Sequence, residues 1–95
     1  MPIYLAIPLT ADSNALNSAV STNIAEADRH KLQAERGWLI KFAGTSIELS
    51  NHLRITGQEP GVPSPVGASI VAPISGYYGR GPTDMWEWMK TRFEQ

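Results

Sequence analysis

The chain has 95 residues and a formal net charge of −1, with eight basic side chains scattered among nine acidic ones. That balance excludes the clustered Lys and Arg that strong non-specific nucleic-acid binding needs. The absence of cysteine excludes a disulfide framework, a thiolate nucleophile and a zinc site of the cysteine type.

This length favours one domain over residues 1–95, burying roughly 60–65% of its unfolded surface. A modest core with three Trp, three Tyr and two Phe invites support from a subunit interface. The start, MPIYLAIPLT, lacks the basic region and long apolar run of a signal peptide. No stretch approaches the ~20 apolar residues of a membrane helix, so the expectation is a soluble, cytoplasmic protein with no membrane partner.

Pro2 to Leu9 reads as a strand with little polarity on either face, hence inner to a sheet. Pro8 has no N–H and must lie at or beyond the paired part of that strand. From Asp12 to about Ala27, Leu16, Val20 and Ile24 recur every four residues among Asn, Ser and Thr. The spacing predicts an amphipathic helix capped by Thr10, Asp12 or Ser13 and held mainly by packing. RHKLQAERGWLIKFAG predicts two short strands joined by a turn around Glu35–Gly37, with Trp38, Leu39 and Ile40 apolar on both faces.

Thr45 and Glu48 stand at capping-box spacing, so a helix is predicted from Ser46 to about Arg54, with Gly57 as its stop. Three prolines and three glycines in GQEPGVPSPVG mark a long loop. ASIVAPISGYY follows as a strand whose internal Pro73 fits only an edge position. The last segment, PTDMWEWMKTRFEQ, is a helix with Met85, Met89 and Phe93 in phase and Trp86 one position round. The order β-α-β-β-α-β-α predicts an α+β, ferredoxin-like βαββαβ sandwich with an extra C-terminal helix, the first and third strands inside.

The run SGYYGRGPTD joins the last strand to the last helix. Structurally, Gly79 and Gly81 allow the turn, Pro82 suits the first helical position and Asp84 favours the helix dipole. Functionally, Arg80 between two glycines beside a helix start suggests an anion pocket, opposed by Asp84. Tyr77, Tyr78 and the Ser75 hydroxyl could grip a planar ligand. Ser75, Tyr77, Tyr78, Arg80 and Asp84 are therefore the candidate ligand-binding residues. It matches neither common phosphate-binding glycine motif. His30 and His52 lack metal-motif spacing and read as surface residues. Trp86 and Trp88, two positions apart, face different ways; one should be core, and both are candidate interface residues. No catalytic set, metal or cofactor is expected.

The segments YLAIPL, WLIKFAGTSIELSNHL and IVAPISGYYGRGPTDMWEWMK resemble, in order and texture, small bacterial ferredoxin-like proteins of the CRISPR adaptation-endoribonuclease type and their stand-alone relatives. The resemblance implies that fold, and in the nucleases an aspartate closing the first strand that helps hold a metal ion in the dimer. The matching region here is AIPLT, with no carboxylate before Asp12, so the nuclease activity does not carry over. The expected function is a small non-catalytic homodimeric binding or regulatory module, with a protein or small-ligand partner. The alternative is a metal-dependent nuclease or nucleotide-processing enzyme using Asp12, Asp84, Arg80 and Tyr77 or Tyr78. Nucleic-acid binding without catalysis, through the sheet face and Arg80, ranks third.

Overall fold

The computed structural model describes residues 2–10, 13–33, 36–74 and 83–93. Its elements are β1 (Ile3–Pro8), α1 (Asn14–Asn23), a 3₁₀ turn (Glu26–Asp28), β2 (Arg29–Lys31), β3 (Trp38–Lys41), α2 (Ser46–His52), β4 (Ser69–Ile74) and α3 (Thr83–Phe93). The fold is α+β: four strands form one open sheet in the order β2-β3-β1-β4, with each neighbouring pair antiparallel.

Both faces of this sheet are covered. Alternation sends Tyr4, Ala6, Trp38 and Ile40 to one face, where they pack with Leu16 and Val20 of α1 and Leu49 of α2. Ile3 and Leu39 point the other way and are buried under Trp88 and Met89 of α3. The continuous apolar character of the inner strands follows directly, since neither face meets water.

Several local devices set the chain's path. Gly37, at φ +134°, enters β3 where an added Cβ would lie 2.3 Å from the Ala6 carbonyl oxygen, so only glycine fits. The capping box is present: the Glu48 N–H donates to Thr45 Oγ1 at 3.1 Å, and the Thr45 N–H donates to Glu48 Oε1 at 3.0 Å. Trp38 donates through Nε1 to Asn17 Oδ1 at 2.9 Å, tying β3 to α1.

Two helix ends differ from the sequence reading, while the start of α1 falls at one of its candidate caps. α1 begins after Ser13, one of the three candidate caps, and ends at Asn23 rather than near Ala27. Ile24 turns extended into the core, and the Arg29 guanidinium donates to the carbonyls of Ser21 in the last turn and of Ile24 at the cap. α2 stops at a left-handed Arg54 (φ 65°), three residues before Gly57. There the Ile55 N–H donates to Ser50 O and the Arg54 N–H to Asn51 O, the two bonds of a Schellman motif. Buried Ile55 secures that stop, which explains why an arginine holds a place glycine usually fills.

Candidate functional site

Asp84 stands in the first turn of α3, where its charge favours the helix dipole. Its Oδ2 lies 4.0 Å from His30 Nε2 on β2, with Asp84 mostly exposed and His30 mostly buried. His30 is thus not the surface residue its sequence neighbours Asp28 and Arg29 suggested. Its ring rests against Trp88, with centroids 5.9 Å apart. Covering by a helix far along the chain is what buries it.

A cleft of about 250 Å³ opens beside this pair, lined by His30, Lys31, Leu32, Gln33, Arg36, Asp84 and Met85. Two cations and an imidazole can draw in an anionic group, while Asp84 opposes it or holds a cationic one. These lining residues include no hydroxyl or thiol that could act as a nucleophile. Among the described residues, no three His, Cys, Asp or Glu side chains gather as a metal site would require. No helix among them is long and apolar enough to cross a membrane.

Of the candidate ligand residues, only Asp84 lies among the described ones. Ser75, Tyr77, Tyr78 and Arg80 lie outside them, as do Asp12 and the glycines of the turn. The tryptophans divide as the spacing suggested. Trp88 is 9% exposed and core, stacked under the Arg92 guanidinium at 4.9 Å. Trp86 is half-buried at the margin of the same cluster. The Arg92 side chain also donates to the Ala27 carbonyl, clamping α3 to the 3₁₀ turn. His52 is exposed as expected, yet its Nε2 lies 3.0 Å from Asn23 O and its ring 5.6 Å from Phe42.

A second surface feature lies on the opposite edge. A groove of about 480 Å³ runs between α2 and β4, flanked by Ile47 and Ile70, which are 72% and 50% exposed. The sequence carried one signal for it. Ile47 is two positions from Leu49, so it cannot share the buried stripe that Leu49 and Leu53 form. Comparison with known proteins finds no match among family models, curated proteins or solved structures.

Proposed function

We propose that this chain is a ferredoxin-like, non-catalytic homodimeric module that acts by binding or regulation. The strand order and antiparallel pairing support the fold name, with α1 and α2 linking strands across one face. The resemblance to stand-alone relatives of the CRISPR adaptation endoribonucleases belongs to the same proposal.

One observation carries the functional part. Exposed large aliphatic side chains flank the β4 edge: Ile47 and Ile70 line the groove between α2 and β4, and Leu9, whose N–H donates to Ala68 O, is exposed just past the end of β1. Exposed apolar side chains gathered along an unpaired sheet edge on a small domain point to a contact site. The inner strands β1 and β3 are covered on both faces, which leaves little flat platform for sheet-face nucleic-acid binding. Sedimentation velocity of the purified protein tests the reading. A dimer at high micromolar concentration is expected, and a clean monomer there contradicts it.

A further inference from the structure

The hydrogen bonds of β4 are directional. The Leu9 N–H donates to Ala68 O, so Ala68, Ile70, Ala72 and Ile74 turn their backbone groups toward β1. Ser69, Val71 and Pro73 therefore turn theirs outward, to the side where no described strand pairs. Pro73 offers no N–H there, only a carbonyl. The open ladder thus has two complete rungs, at Ser69 and Val71.

The strand IVAPI and its preceding Ser69 carry no charge, unlike the Arg29–Lys31 edge across the sheet. Charged side chains on an edge discourage pairing, and β4 has none. An uncharged strand finds its electrostatic match in another uncharged strand, and an identical one brings no like charges together.

Resting on the homodimeric reading above, we infer that β4 is its interface: two copies pair their β4 strands antiparallel about a two-fold axis at Ile70. In that register Ser69 of each copy faces Val71 of the other, and both rungs close with four backbone hydrogen bonds. Ile70 stands directly opposite its twin in the non-hydrogen-bonded position, covering an aliphatic side chain that is 50% exposed in the single chain. Pro73 fixes the choice. Shifting the axis to Val71 would set Pro73 opposite Ser69 in a hydrogen-bonded pair that it cannot complete. Shifting it to Ser69 would demand the Gly67 N–H, which already donates to Ser64 Oγ at 3.2 Å. The axis stands perpendicular to the sheet, so the two α2 helices flank the seam on one face and bring both Ile47 grooves to it.

The chain has no cysteine, so a single introduced thiol reports one contact. Ile70→Cys should form a disulfide-linked dimer rapidly under mild diamide oxidation, because directly opposed residues place their Cα atoms within disulfide reach. Val62→Cys, exposed but away from the strand, should not. Ile70→Lys, which sets like charges opposite each other, should raise the dimer dissociation constant at least about tenfold while the far-ultraviolet spectrum stays unchanged. A wild-type dimer in which Ile70→Cys crosslinks no faster than Val62→Cys overturns the β4 assignment and leaves the homodimeric reading standing. A wild-type monomer overturns both.

Discussion

The two faces of the sheet are built on different scales. On one, Leu16, Val20, Ile40, Leu49 and Leu53 are all within 1% of complete burial. On the other, the buried set is Ile3, Leu39, Trp88 and Met89, ringed by half-buried Leu5, Ile74, Met85 and Trp86. Among the described residues each face leaves one buried polar atom without a hydrogen-bond partner, Ser69 Oγ on the first and Trp88 Nε1 on the second. The first face is a core formed by two crossover helices. The second is a lid of one helix, anchored by aromatic stacking and by Arg92. With both faces occupied, what remains for another molecule is the edges.

Substitutions can break or sharpen this contrast. Leu53→Ala should cost toward the upper part of about 2–5 kcal/mol in urea unfolding, because its site is enclosed on all sides. Met89→Ala should fall toward the lower part of the same range, since the thinner α3 layer can settle into the gap. Equal losses at the two positions would erase the proposed difference. Gly37→Ala strains a strand common to both faces, setting a Cβ against the Ala6 carbonyl at positive φ, and should destabilise by about 1–3 kcal/mol.

Smaller effects are expected at the margins of the two layers. Arg54→Gly relieves the left-handed arginine at the end of α2 and should stabilise the protein by about 1 kcal/mol, read as a higher urea midpoint. Asp84→Ala should shift stability by no more than about 0.5 kcal/mol, because its long contact with His30 is open to solvent. A loss above about 2 kcal/mol would show that this pair holds α3 down, which stacking on Trp88 is held here to do.

Much of the architecture was legible because its signals are local. Apolar residues on both sides of Ile3–Ile7 marked an inner strand, and β1 pairs on both sides. Thr45 and Glu48 announced α2, and Pro73 marked an edge strand. What failed depended on distant partners. The end of α1 is set by Ile24 dropping into a core assembled from β1, β3 and α2. The stop at Arg54 relies on Ile55 finding that same core. His30 reads as exposed until α3 arrives from the far end of the chain. The stripe of α3 includes Trp88 because the helix meets a sheet, whose breadth no helical period reports. Of the candidate site, Asp84 was found from its place near the helix start, whereas His30, Lys31 and Arg36 join it only through folding.

On the outer side of β4 the Ser69 and Val71 amides point away from β1, toward the proposed second copy. Amide hydrogen exchange of these two residues, followed by nuclear magnetic resonance across a dilution series, tests the β4 pairing most directly. Protection of both amides at high micromolar concentration, lost on dilution while the Ile70 amide stays protected by β1, is the predicted result. Fast exchange of Ser69 and Val71 at every concentration would contradict it.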